Sequence, residues 1–390
     1  MLQHDFDEKV DRANTASYKW DKYPAGVIPL WVADTDFRAP QPVVDALSSR
    51  VAHGVFGYTW NHGSFERSTK GWAARRHGWD IDVSQVYFAP SVVAGIGLAI
   101  RALTAPGDNV VIQPPVYPPF AGVTRNNGRV PLGNPLVRRD GAWHIDFDDL
   151  EAKLADPRST LFLLCNPHNP TGRRFSREEL LRMGELCLKH KVRVLSDEIH
   201  SDFVFTGRHI PFPTLSPELA DISTVCISPS KTFNLADLRA SAMITPGGEI
   251  AADIKKELAA DGVGRCSLSI LAYDTAYADC DYYADQVRDY LGKNLDRAVR
   301  RINGNIPGIT AYKPEATFLL WLDCRELGFS QPELVRFFLD KAKVALNSGT
   351  DFGSEGEGFM RMNVGCPAAT LDEALGRIER AVRDAKPAAS

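Results

Sequence analysis

Lys231 stands in the stretch Ile227 to Ser241, I-S-P-S-K-T-F-N-L-A-D-L-R-A-S, just past an apolar run, Thr224 to Ile227, that reads as a buried strand. Ser228, Ser230 and Thr232 surround it with small hydroxyl groups. A lysine so placed is either a solvated loop charge or an amine held for chemistry. What the other apolar runs hand over as they stop decides between the two. Val86 to Ala89 ends in P-S-V-V and enters a helix, so Ser91 and the amides of Val92 and Val93 offer an anion site beyond Ser91's simpler role as an N-cap. Asn109 to Gln113 ends in P-P-V-Y-P-P-F, whose prolines hold up Tyr117, either to stack on a flat ligand or to pack. Thr160 to Cys165 ends in N-P-H-N-P-T-G, a stiff turn that keeps Asn169 at the strand end. Val192 to Ser196 ends in D-E-I-H-S-D, which brings Asp197 and His200. A buried aspartate there needs a cation or a strong donor. Asp197, His200 and Asp202 have no matching ligand cluster elsewhere in the chain, so no metal is expected.

Together these residues describe one ligand: planar, aromatic, phosphorylated, with a ring nitrogen that wants a proton, and reactive toward an amine. Pyridoxal 5'-phosphate has those properties. The competing reading, a dinucleotide at Gly95-Ile96-Gly97, lacks the third glycine of its fingerprint, and its glycines fall inside an expected helix.

The elements that must position this set follow a rhythm. Short Val-, Ile- and Leu-rich runs alternate with amphipathic helical stretches, the last three at spacings of about thirty residues. That pattern predicts βαβ units and a mostly parallel sheet covered by helices on both faces. Helices are expected at Pro42 to His53, Ser64 to His77 and Ser176 to Lys189, with F-G-Y-T-W-N, Phe56 to Asn61, as a loop. Near Ser267 the texture changes. A long helix is expected from Ala272 to Ile302, then a smaller α/β unit with strands Thr317 to Asp323, Val344 to Leu346 and Phe359 to Val364 and helices Gln331 to Lys343 and Leu371 to Asp384. The expected division is residues 1–45 as an N-terminal segment packing with the small domain, 46–285 as the large cofactor-binding domain and 286–390 as the small C-terminal domain.

With 390 residues, 24% charged, 44% hydrophobic and a formal net charge of -4, the chain is ordinary for a soluble protein and gives no reason to expect nucleic acid or an anionic membrane as partner. Seven cysteines without a C-x-x-C pair fit a reducing cytoplasm. The polar, acidic M-L-Q-H-D-F-D-E-K start is unlike a secretory signal.

S-x-S-K, D-E-I-H and N-P-H-N-P-T-G, in this spacing, resemble the fold-type I pyridoxal-phosphate enzymes of the aspartate aminotransferase superfamily (class I/II). Within it, Y-K-W-D, P-L-W-V-A-D-T-D-F, F-G-Y-T, P-P-V-Y-P-P-F, C-N-P-H-N-P-T-G, S-D-E-I-H-S-D and S-K-T-F-N-L look like the cystathionine β-lyase group of MalY/PatB type, from about Asn14 to Ile378. The resemblance implies catalytic roles for Lys231 (the Schiff-base lysine), Asp197 at the pyridinium nitrogen and Tyr117 on the ring. It also implies that Asn169 meets the ring oxygen and that His200 sits where the superfamily often has tyrosine. Ser91, Val92, Val93, Ser228, Ser230 and Arg239 would hold the phosphate. Tyr58 would reach the site of a neighbouring subunit, which implies a homodimer. Arg361, with Trp31, Asn169 and Tyr58, would bind substrate. Alternation in F-M-R-M-N-V-G independently puts Arg361 on the opposite face from Met360 and Met362, and guanidinium suits a carboxylate.

The chain departs from the group at Ser91, Asp237, Ala316 and Asp281-Tyr282. A carboxylate at Asp237, beside a phosphate site, is expected to need compensation by Arg239. The implied reaction is α,β-elimination from cystathionine or another cysteine S-conjugate. A class I/II aminotransferase using the same lysine, or a cofactor-bound partner-binding protein, are the alternatives.

Overall fold

The computed structural model describes residues 3–60 and 62–385. Its main sheet has seven strands: β1 (Val86–Ala89), β2 (Asn109–Ile112), β3 (Val130–Gly133), β4 (Ser159–Cys165), β5 (Arg193–Asp197), β6 (Ser223–Ile227) and β7 (Ser241–Ile244). They lie in the order β1-β7-β6-β5-β4-β2-β3, and every neighbouring pair is parallel except those made by β7. Both faces are buried. Phe162 and Leu164 join one apolar cluster, and Leu161, Leu163 and Cys165 join another on the opposite side. Burial on both faces is why these runs are almost continuously apolar.

The expected runs from Val86, Asn109, Thr160, Val192 and Thr224 all form strands, each within a residue of its expected ends. Two strands of this sheet were not expected. Val130–Gly133 is an edge strand holding a proline, and β7 begins only ten residues after Lys231, where no strand was expected. The antiparallel β7 matters to the site. Because Ser241 pairs with Ala89, the start of β7 lies at the carboxyl ends of its neighbours, and Arg239 and Ala240 arrive at the same edge as Lys231.

The C-terminal sheet runs β8 (Thr310–Ala311), β9 (Leu319–Asp323), β11 (Phe359–Asn363) and β10 (Asn347–Ser348), all antiparallel. The expected strand from Thr317 starts two residues late, because Thr317 has φ 69 and cannot continue a strand. Val344–Ala345 joins no part of this sheet; it pairs in parallel with Ile28–Pro29. The expected helix Gln331 to Lys343 is an α-turn, Gln331–Arg336, passing into a π-turn, Phe337–Lys341.

The long helix is two helices, Ser267–Asp279 and Asp281–Asn305. Cys280 leaves helical geometry, and its carbonyl accepts from Tyr283 and Ala284 to start the second helix. Neither proline nor glycine marks this break, so apolar periodicity runs through it unchanged. The N-terminal residues spread over the body, with Phe6 packed against Phe37, Tyr283 and Tyr290. No helix among the described residues is long and apolar enough to cross a membrane.

Candidate active site

One cavity opens at the carboxyl edge of the main sheet, where β1, β2, β4, β5 and β6 stop and β7 begins. It is lined by Lys231, Asp197, Asn169, Tyr117 and His200, and at its far end by Ser91, Val92, Val93, Ser228, Ser230 and Arg239. The end groups face the start of the helix Val92–Leu103. Ser91 caps it, accepting from the Ala94 amide at 3.1 Å. The first-turn amides of a helix have no acceptor within it, so they and the helix dipole favour an anion. Ser228 Oγ donates to the Ala240 carbonyl at 2.7 Å and accepts from the Ser230 amide at 3.1 Å, which binds the loop after β6 to the start of β7. Asp237 is exposed and does not line the cavity, whereas Arg239 does. The expected electrostatic conflict is therefore absent from the lining.

Lys231 reaches in from the loop after β6, and its Nζ donates to the Ala33 carbonyl at 2.6 Å. Burial lowers its pKa to about 8; the Arg361 charge lowers it too, while Asp34 and Asp197 oppose. Asp197 is buried with one hydrogen bond, from the Ile199 amide at 3.1 Å. Burial raises its carboxyl to about 7, against that bond and the Lys231 charge. An aspartate in that condition gains most from a cation placed against it. Burial keeps His200 neutral, its pKa lowered to about 3, and its Nδ1 has no protein partner among the described residues. Tyr117, pushed up to about 12 by burial and the nearby Asp197 charge, remains a neutral phenol.

Arg361 is buried on β11. Its Nη1 donates to Asn169 Oδ1 at 3.0 Å, and Nη2 donates to the Trp31 carbonyl at 2.9 Å and to Asn347 Oδ1 at 2.6 Å. All three acceptors are neutral. Burial lowers its pKa to about 10, which still leaves it charged near neutrality. Trp31 thus meets Arg361 through its backbone; its indole donates to the Lys19 carbonyl and packs against Tyr18 and Tyr23 instead of lining the cavity. Tyr58 is fully exposed and outside the cavity of its own chain.

The loop that carries Asn169 is pinned at Gly172. This residue has φ 70, and a Cβ there would lie 2.2 Å from Pro314 Cβ and 3.0 Å from the Ala316 carbonyl oxygen. Only glycine fits. Ala316, which departs from the group's glycine, is buried and donates its amide to the Gly172 carbonyl.

Residues 26–378 match the family described as Aminotransferase class I and II. The chain belongs to that family. It is 46% identical over 384 residues to the cystathionine beta-lyase PatB of Bacillus subtilis, covering 97% of this chain and 99% of that protein. Cystalysin from Treponema denticola, whose structure contains a pyridoxal 5'-phosphate cofactor, superposes with a TM-score of 0.95 at 32% identity, covering 99% of this chain and 100% of the other. A C-S lyase from Staphylococcus hominis, bound to pyridoxal phosphate and the inhibitor L-cycloserine, gives a TM-score of 0.91 at 28% identity over 98% of each chain. The main sheet and its helices are accordingly the fold-type I architecture of these enzymes.

Family membership explains the cavity but not how its roof is held. The segment 31–37 crosses above Lys231 and Arg361. Asn363 donates to the Val32 and Asp34 carbonyls, and Asn234 donates to those of Thr35 and Phe37 and accepts from the Thr35 amide. Within it, Asp36 accepts from the buried Lys19 ammonium, from Arg12 and from the Trp20 indole. Sequence reasoning missed Ala33, Asn234, Asn347 and Asn363. P-L-W-V-A-D-T-D-F, S-K-T-F-N-L and F-M-R-M-N-V-G contain Ala33, Asn234 and Asn363 without marking a role for them, and Asn347 stands in no motif.

Proposed function

We propose that this chain is a pyridoxal-phosphate-dependent carbon–sulfur β-lyase, which cleaves cystathionine or another cysteine S-conjugate to a thiol, pyruvate and ammonia. The observation that carries the reading is the meeting of Lys231, Asp197 and Asn169 at one strand edge with Arg361 one hydrogen bond behind, in a chain 46% identical to a cystathionine beta-lyase. The donor set fits the cofactor. Asp197 would face its ring nitrogen, Asn169 its phenolic oxygen and Tyr117 its ring. His200 would lie beside the ring, and Ser91, the Val92 and Val93 amides, Ser228, Ser230 and Arg239 would surround its phosphate. When bound, pyridoxal phosphate supplies an electron sink for the negative charge left at the substrate Cα.

The chain's own residues do the rest. Arg361 grips the substrate carboxylate and fixes the Cα near Lys231. With its pKa near 8, Lys231 is partly uncharged at neutral pH, so its Nζ accepts the Cα proton and can return one to the departing group. The segment 31–37 covers the site and limits water. Transamination would require the pocket to admit a second, usually dicarboxylic, acid. Among the described residues, Arg239 is the one guanidinium in the lining, and it belongs to the phosphate end.

The active form we propose is a cytoplasmic homodimer in which Tyr58 crosses to the partner's site. Val55, Phe56, Tyr58 and Trp60 are exposed together, an apolar cluster that a second subunit would cover. Residues 46–285 would be the large cofactor-binding domain and 286–390 the small one, joined by the N-terminal 1–45. The test is pyruvate release from cystathionine without an added 2-oxo acid. Strict dependence on 2-oxoglutarate would overturn the lyase reading.

A further inference from the structure

Pairing between β2 and β4 ends at Val111 and Phe162, short of the residues that both strands hand to the site. Past that point no strand pairing among the described residues holds the loop that carries Tyr117 against the turn that carries Asn169. The turn is stiff in itself: the His168 amide donates to the Arg173 carbonyl at 2.9 Å, and the His168 carbonyl accepts from the Gly172 amide at 2.8 Å. What remains to be set is where it sits as a body. On one side the Asn166 amide moors it to the Asp197 carbonyl, and on another the Gly172 carbonyl accepts from Ala316. The side toward Tyr117 is left.

His168 occupies that side. Its imidazole is fully buried and does not line the cavity. Burial lowers its pKa to about 3, so it is neutral and takes no part in proton transfer. Nε2 lies 3.2 Å from the Gln113 carbonyl oxygen, and Nδ1 lies 2.8 Å from Thr171 Oγ1. A carbonyl only accepts, so Nε2 carries the proton and the Thr171 hydroxyl donates to Nδ1. Gln113 is fixed in turn. Its side chain donates to Asn134 Oδ1 at 3.0 Å, and Asn134 donates to the Asp146 carbonyl and to Asp149. The bond from His168 to Gln113 is the one hydrogen bond between residues 113–118 and 166–172 among the described residues. Asn169 Oδ1 accepts from Arg361, which leaves Asn169 Nδ2 to meet the phenolic oxygen of pyridoxal phosphate.

We propose that His168 is a positioning residue for this site. By donating from Nε2 to the Gln113 carbonyl, it fixes the turn that carries Asn169 against the loop that carries Tyr117, and so sets the Asn169 amide at the cofactor's phenolic oxygen. The proposal rests on that placement of Asn169 and not on the choice between lyase and aminotransferase. A donor at the phenolic oxygen draws negative charge from it and weakens its hold on the proton it shares with the Lys231 nitrogen. Loss of the donor therefore raises the pH at which the visible absorbance of the bound cofactor changes.

The test is a spectrophotometric pH titration of the cofactor-loaded protein without substrate, with the unfolding temperature read on the same samples. Asn169→Ala should raise the absorbance midpoint by about half a pH unit or more. His168→Leu, which keeps the bulk and removes both ring nitrogens, should raise it in the same direction. His168→Gln, whose amide can donate where Nε2 does, should restore it. His168→Asn is too short to reach the carbonyl and should match His168→Leu, so it decides the same point if the leucine variant does not fold. A midpoint unmoved by Asn169→Ala would overturn the placement of Asn169 and the proposal with it. A midpoint moved by Asn169→Ala but by neither His168→Leu nor His168→Asn would overturn the role of His168 alone, even if the unfolding temperature fell. So would an equal shift in His168→Gln.

Discussion

Asp197 and Arg361 are both charges taken out of water, one on the floor of the cavity and one behind its wall, and they are held in opposite ways. Asp197 has one backbone donor and a pKa raised to about 7, so without a cation against it the carboxylate is close to losing its charge. Arg361 is held by three neutral acceptors and remains charged. In the proposed reaction the floor is completed only by a cationic ring, whereas the wall is preorganised for the substrate. Lys231 feels both: Arg361 lowers its pKa and Asp197 raises it.

The largest effect should come from removing the group between them. Lys231→Ala should lower turnover by at least about 10³-fold, since it takes away the proton acceptor. Asp197→Asn, nearly isosteric, should cost about 10²- to 10³-fold in kcat with little change in KM, because the ring nitrogen loses its counter-charge. Arg361→Lys should act the other way, raising KM about 100-fold with a smaller loss in kcat, as a point charge replaces a bidentate fork. Steady-state kinetics on pyruvate release separate these cases. If both variants lost kcat and KM alike, floor and wall would not be distinct.

The same contrast has a pH signature. Lysine is reactive when uncharged, so with its pKa lowered from 10.5 to about 8, uptake of pyridoxal phosphate by cofactor-free protein should level off above pH 8. Below that value it should fall about tenfold per pH unit. Asp197→Asn removes a charge that raises the lysine pKa and should move the midpoint down; Arg361→Gln should move it up. Stopped-flow absorbance across pH 6 to about 10 would read both shifts, and midpoints moving together would show that Lys231 is not set between the two charges.

The floor was legible in the sequence and the roof was not. Strand ends advertise themselves: an apolar run stops, and Asp197, Asn169 or Lys231 follows within four residues. Parallel topology then forces those ends to one edge. Arg239 comes from resemblance alone, because the antiparallel strand that delivers it, Ser241–Ile244, is not among the expected strands. The roof depends on contacts such as Asn234 to Thr35 and Arg361 to Trp31, which span 199 and 330 residues and leave no local pattern. Cys280 shows the same limit in a helix: its break is set by backbone geometry that no proline or glycine announces.

The smallest effect tests how far the wall is preorganised. Asn347 is one of three acceptors on Arg361, and it shares Nη2 with the Trp31 carbonyl. Asn347→Ala leaves Asn169 and Trp31 in place, so the guanidinium should keep its position and lose about 1 kcal/mol of restraint. KM should then rise about three- to fivefold with kcat unchanged. A fall in kcat of tenfold or more would mean that Asn347 also sets the distance from the substrate Cα to Lys231, and that the wall is tuned as finely as the floor.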